Sequence, residues 1–153
     1  MMEKIQGYLD LLRVIRLPIV VGGFLGYSMG VLLALAGGAL LDIPRLTLAY
    51  LVVLFGDLST HYSNDIYDAE TDKLSSGKMF GGSNLLAERP MLRAPALDLA
   101  FLCSVASIAL SMIGVAFFSL PSIFLIIAVA ANSLGWAYSA PPLRLVSRGL
   151  GEI

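Results

Sequence analysis

The chain has 153 residues, 58% of them hydrophobic and 14% charged, with a mean hydropathy of +0.83 and a formal net charge of −1. An average soluble domain carries about 25% charged residues, so this one has too little polar material to cover a water-facing surface. These figures exclude a soluble globular enzyme, a disordered chain and a nucleic-acid binder. Ten Lys/Arg against eleven Asp/Glu name no anionic partner. One cysteine, Cys103, closes no internal disulfide, and with a single histidine it makes no zinc site. The length accommodates about four or five membrane-spanning helices at ~20 residues each. The expected fold is an all-α integral membrane protein that crosses the cell membrane several times.

Apolar runs of spanning length occur at 18–41, 46–68, 96–118 and 119–140. The first has no charge between Arg16 and Asp42. It is too long for a signal-peptide core, and the mixed charge before it points to a retained helix. Gly22, Gly26 and Gly30 recur every fourth residue along it, a spacing for close helix approach or simply the tolerance of membrane helices for glycine. The second span differs, because it carries Asp57, His61, Asn64, Asp65 and Asp68. The third is apolar with scattered Ser and Ala for packing. Pro121 marks the start of the fourth, and Trp136 and Tyr138 near its end suit an interfacial aromatic belt.

Charge in the connections predicts the topology. Loop 42–45 holds Arg45, and the turn near Ser119 holds no basic residue. With four spans, Lys4, Arg13 and Arg16, Lys73, Lys78, Arg89 and Arg93, and Arg144 and Arg148 all share one face, nine of the ten Lys/Arg. The positive-inside rule makes that face cytoplasmic. The connection 73–93 is long for a helix–helix loop, and such loops are functional or disordered.

At 100° per residue, Asp57, His61, Asn64, Asp65, Asp68 and Asp72 fall within one arc of about 100° on the second helix. An ionisable group inside the bilayer costs at least ~2.5–3.5 kcal/mol, so the stripe should face a wet or protein-lined cavity. Asp65, Asp68 and Asp72 lie within ~11 Å along the axis. Carboxylates so close repel unless a cation intervenes, and hard oxygen donors suit Mg²⁺. The alternative is a solvated helix end that happens to be acidic, against which Asp57 and His61 continue the stripe into the membrane.

The run Asn64-Asp65-Ile66-Tyr67-Asp68-Ala69-Glu70-Thr71-Asp72 reads NDxxDxxxD. It resembles the first aspartate-rich motif of the UbiA superfamily of intramembrane aromatic prenyltransferases. The segment from Tyr138 to Glu152, YSAPPLRLVSRGLGE, looks like the YxxPP stretch that follows the fourth helix in that family. Arg16-Leu17-Pro18 is a weaker match to the Arg-Pro pair that opens its first helix. Gly81-Gly82-Ser83 resembles a segment of the menaquinone branch, or is a flexible turn. Ser76-Gly77-Lys78 looks like the end of a P-loop but lacks the preceding glycine and the strand–helix setting.

The resemblance implies a bundle of about nine helices, of which this chain is expected to be the N-terminal half, inactive alone and completed by a C-terminal half. It implies Mg²⁺, a polyprenyl diphosphate donor and an aromatic or lipid acceptor, in quinone or isoprenoid lipid biosynthesis. A dihydroxynaphthoate-type acceptor fits the glycine segment best. Asp65, Asp68 and Asp72 would bind the metal, and Asn64 the metal or a phosphate. Arg16, Lys73 and Arg144 are candidate diphosphate clamps, with topology setting as the ordinary role of each. Tyr138 and Ser139 would line the acceptor side, and Tyr138 with Asp65 and Asp68 would act in catalysis. Val146 stands where relatives often have Lys, so Arg144 or Arg148 would replace it. Two other classes remain: a transporter relaying protons through Asp57, His61 and Asp65, and a non-catalytic assembly subunit.

Overall fold

The computed structural model describes residues 7, 9–12, 15, 17–72 and 85–149, without the side chains of 18, 19 and 70–72. In chain order the helices are α1 (Leu17–Ala36), α2 (Ile43–Asp72), α3 (Leu85–Glu88), α4 (Arg93–Phe117) and α5 (Ser122–Ser139). Short 3-10 turns occupy Pro90–Leu92 and Leu145–Arg148, and no strand occurs among the described residues. The stretches Ile43–Ala69, Pro90–Phe117 and Ser122–Ser139 are long and apolar enough to cross a membrane. In α1 the apolar stretch Val20–Ala36 is shorter. The chain therefore has the make-up of an α-helical membrane protein.

Local chemistry moves the ends of each expected span. Apolar composition runs on to Leu41, but α1 stops at Ala36 because Gly38 takes φ +90°. Gly38 N–H then donates to Leu35 O and Ala39 N–H to Ala34 O, both at 3.0 Å. Those two bonds cap the last carbonyls in a Schellman turn. The loop expected over 42–45 is instead the first turn of α2. Asp42 caps it, its Oδ1 accepting from Arg45 N–H at 3.1 Å. Pro44 fits there, where its missing N–H costs nothing. For the same reason Pro95 does not delay α4, which begins at Arg93 rather than 96. Between α4 and α5 the chain reverses through Ser119, at φ 54°, and extended Pro121, so α5 starts three residues later than expected.

The 30 residues of α2 span about 45 Å, against ~30 Å for a bilayer's hydrocarbon core. It is the central element, packing on α1, α4 and α5. A line of hydrogen bonds holds it to the last two. Ser59 Oγ donates to Ala100 O at 2.8 Å, and Trp136 Nε1 donates to Ser59 Oγ at 2.9 Å. Ser107 Oγ donates to Val52 O at 2.9 Å, and Asn132 Nδ2 donates to Ser107 Oγ at 3.1 Å. Trp136 thus points inward rather than out to a belt. Such polar bonds and small residues, not apolar burial, hold helices together in lipid.

A second cluster lies at the other end of α2. Leu11, Tyr62, Ala69, Leu85, Leu86, Leu92, Ala96 and Ala100 form one buried core. Arg89 pairs with Asp10 across it. The second half of the connection 73–93 is therefore folded down against α2 and α4, not an open loop. Its first half, with Lys73, Lys78 and Gly81-Gly82-Ser83, lies outside the described residues. On the outer faces Leu25, Leu33, Phe101 and Ile126 are exposed, as bilayer-facing residues would be.

Close helix approach occurs at a different glycine from the expected ones. A Cβ at Gly22, Gly26 or Gly30 would meet nothing within 4 Å. A Cβ at Gly135 would collide with Thr60 Oγ1, which donates to Gly56 O at 3.1 Å. Gly135→Ala should therefore destabilise the bundle by about 1–3 kcal/mol, as overpacking does. Thr60→Ala in the same chain should recover part of that loss, while Gly26→Ala should change little. Equilibrium unfolding in mixed micelles measures all three.

Candidate functional site

The polar stripe of α2 divides into two parts. Towards the middle of the helix, His61 Nε2 lies 3.6 Å from Asp57 Oδ2, one turn apart. Further on, Asp65 is 3% exposed, while Asn64 and Asp68 are half-buried. Asp68 is separated from Asp57 by ~16 Å along the axis, at 1.5 Å per residue.

Asp68 is where the C-terminal segment meets α2. Ser139, the last residue of α5, donates its hydroxyl to Asp68 Oδ2 at 2.5 Å. Beyond it Ala140 is extended (φ −78°, ψ 144°), and Pro141 and Pro142 cannot continue the helix. The chain turns, Arg144 N–H donating to Ala140 O at 3.1 Å. Arg144 itself takes a left-handed conformation, φ 42° and ψ 58°. For a residue with a Cβ this costs about 1 kcal/mol and persists only where the surroundings enforce it. The result brings Arg144 Nη2 to 4.0 Å from Asp68 Oδ1. Arg148 is used elsewhere, its Nη2 donating to Pro142 O at 3.1 Å.

Two polar atoms at this end are buried without a hydrogen-bond partner, Asn64 Oδ1 and Arg144 Nε. Buried polar atoms are nearly always paired, so each exception asks for a missing partner. One is an oxygen acceptor and the other a cationic donor. A cation would satisfy the first, an anion the second.

These donors suit magnesium in kind. Among the described residues no three His, Cys, Asp or Glu side chains gather into a metal-binding group. Mg²⁺ does not need three, since it is usually held by one or two carboxylates, with waters and substrate phosphate oxygens completing the shell. Asn64 Oδ1 and the carboxylate of Asp68, one helical turn apart, are hard oxygen donors of that sort.

Of the expected site residues, Asp68, Ser139 and Arg144 come together, with Asn64 one turn from Asp68. Asp65 is buried on the same helix, and Tyr138 is half-buried on the last turn of α5. Asp72 ends α2, but its side chain, like Arg16 and Lys73, lies outside the described residues. The sequence reading missed Asn132 and the serines that bind it. Their signal was present: Ser104, Ser107 and Ser111 repeat at helical spacing on α4. It also missed Asp10, the partner of Arg89.

In comparisons with known proteins, no family model, no curated protein and no solved structure matches the chain.

The contact between Ser139 and Asp68 should be visible thermodynamically. Ser139→Ala and Asp68→Asn together should cost less than the sum of the single substitutions, by about 1 kcal/mol, because both delete one charge-assisted bond. A double-mutant cycle of unfolding free energies reads this coupling. Strict additivity would count against the contact.

Proposed function

We propose that the chain takes part in transferring a polyprenyl group from a polyprenyl diphosphate to an aromatic or lipid acceptor within the membrane, as the resemblance to UbiA-type prenyltransferases suggests. The observation that carries this reading is the convergence of Ser139 and Arg144 on Asp68, beside the unpartnered Asn64 Oδ1. Residues from the NDxxDxxxD run and from the YSAPPLR segment thus meet in space, although some seventy positions separate Asp68 from Ser139.

In this reading Asn64, Asp65, Asp68 and Asp72 supply the oxygen donors for Mg²⁺. When bound, the metal would offset negative charge on the departing diphosphate as a Lewis acid. Arg144 offers a guanidinium that can grip phosphate oxygens, and its unpartnered Nε is a donor in waiting. Arg16 and Lys73 are further cationic candidates. Ser139 orients the Asp68 carboxylate. Tyr138, the residue before Ser139, lines the acceptor side, where its ring would shield positive charge at the allylic carbon. The bond from that carbon to the diphosphate oxygen breaks, the acceptor carbon bonds in its place, and the acceptor loses a proton.

The proposed topology has four spans, with α1 as the first and the acidic end of α2 in the cytoplasm, in keeping with the distribution of Lys and Arg. Cysteines introduced at Ser76 and Leu40, in a chain with Cys103→Ser, should label from opposite sides of oriented vesicles. Labelling from one side would refute the topology.

Binding of a fluorescent farnesyl diphosphate analogue to the purified chain tests the site. Binding should require Mg²⁺ and fall at least ~10-fold in Asp68→Asn and in Asp65→Asn, the loss expected when a charged partner is removed. Asp57→Asn should leave it nearly unchanged. Mg²⁺-independent binding, or full binding by both substituted chains, would sink the assignment.

A further inference from the structure

Midway along α2 a cavity of about 300 Å³ opens between α2, α4 and α5. Val53, Phe124, Ile127 and Ala131 contribute to its mostly apolar wall, and Asp57, Thr60, Ser107 and Asn132 are its polar lining. Ile127 and Ala131 are exposed, so the cavity opens sideways. Asp57 stands next to the centre of the apolar stretch Ile43–Ala69, which places that opening towards lipid.

The donor hydrogens of the polar lining are spent within the chain. Thr60 Oγ1 donates to Gly56 O at 3.1 Å, and Ser107 Oγ to Val52 O at 2.9 Å. Asn132 Nδ2 spends both hydrogens, on Ser107 Oγ at 3.1 Å and on Ala128 O at 2.9 Å. What remains is the lone pairs of Thr60 and the carboxyl of Asp57, which when ionised only accepts. Such a lining disfavours phosphates and carboxylates, because they bring only acceptors of their own.

Asp57 also lacks a cation. Its side chain is 25% exposed and makes no hydrogen bond to the described residues. His61 Nε2, 3.6 Å from Oδ2, is beyond hydrogen-bond length, and His61 is not part of the cavity lining. The Lys and Arg of the three lining helices are Arg45 and Arg93, both in first turns. Arg45 is ~18 Å away along α2, at 1.5 Å per residue. A charged carboxylate in hydrocarbon is costly unless paired, so the pairing cation has to come with a ligand. Lipid headgroups lie about 15 Å from the bilayer centre, half of its ~30 Å core, which excludes an ethanolamine headgroup.

We propose that this cavity binds a small amine, an apolar body carrying one primary ammonium that pairs with Asp57. The ammonium brings three donors to a lining of acceptors, and Val53, Phe124 and Ile127 take the apolar body. The site lies ~12 Å along α2 from Asp65, at 1.5 Å per residue, and does not rest on the proposed transfer reaction.

Equilibrium dialysis of 2-phenylethylamine against the chain in phosphatidylcholine nanodiscs tests this, with empty discs correcting for partition. Saturable binding is expected. The uncharged molecule of the same shape, 2-phenylethanol, should bind at least ~10-fold more weakly, because its bond to the carboxylate lacks the cationic charge. Asp57→Asn should abolish the preference for amine over alcohol. Ala131→Phe, which fills the cavity from α5, should weaken amine binding with Asp57 intact. The comparison of amine and alcohol on the unsubstituted chain stands whether or not a variant folds. Equal binding of the two, a preference that survives Asp57→Asn, amine binding unchanged by Ala131→Phe, or no saturable binding would each overturn the proposal.

Discussion

The arrangement rests on one requirement: the polar groups of α2 need partners inside the protein, because the apolar faces around them offer none. On the side towards α4 and α5 that requirement is met. Ser59 sits between Ala100 O and the indole of Trp136, and Val52 O accepts from Ser107, which in turn accepts from Asn132. These bonds fix how α2 is turned. Ser59 lies about 200° around the helix from Asp57, so its bonds to α4 and α5 set the direction in which the acidic stripe is turned. Rotating α2 by one residue would break several bonds at once, and small side chains such as Gly135 allow no compensating slide.

With that rotation set, the end of α5 decides what Asp68 meets. Ser139 is the last helical residue, and two prolines stop the helix there. A left-handed Arg144 then folds the chain back on α2. The backbone cost at Arg144 is offset by the contacts it makes possible, a bargain usually found where a side chain must be aimed. At the same end, Leu11, Leu85, Leu86 and Leu92 pack over Tyr62 and Ala69. The tip of α2 is thereby held from two directions, by an apolar cap and by a polar turn.

Much of this was legible in the residues. The apolar runs located the long helices, because apolar composition over some twenty residues has few other uses. Period-3.6 arithmetic correctly put Asn64 one turn from Asp68. Helix ends were less legible, because hydropathy says nothing about capping. Gly38 and Asp42 set the boundary between α1 and α2 within a stretch that stays apolar on both sides of the break. The pairing of Ser139 with Asp68 was not readable from spacing, since it depends on where α5 stops and how α5 crosses α2. Ser107 was passed over as a packing residue and Asn132 was not singled out, because single hydroxyls and amides in apolar helices carry no charge signal. Their roles emerge only when three helices are brought together.

The unsatisfied groups fall along one stretch of α2. Among the described residues, His61 Nε2, Ser63 Oγ, Asn64 Oδ1 and Arg144 Nε are buried without a hydrogen-bond partner. Three lie within four consecutive residues of α2, and the fourth is on the side chain that reaches Asp68. The middle of the interface with α4 and α5, from Val52 to Thr60, contributes none. If these atoms only reflected loose packing, they should be scattered along the bundle. Instead the well-bonded stretch serves as scaffold, and Asn64 and Arg144 carry their deficit to the end where acidic residues, a cationic side chain and a strained turn coincide. Local rules broken close together, and kept elsewhere, are expected at functional or strained positions in a chain otherwise consistent from propensity to packing.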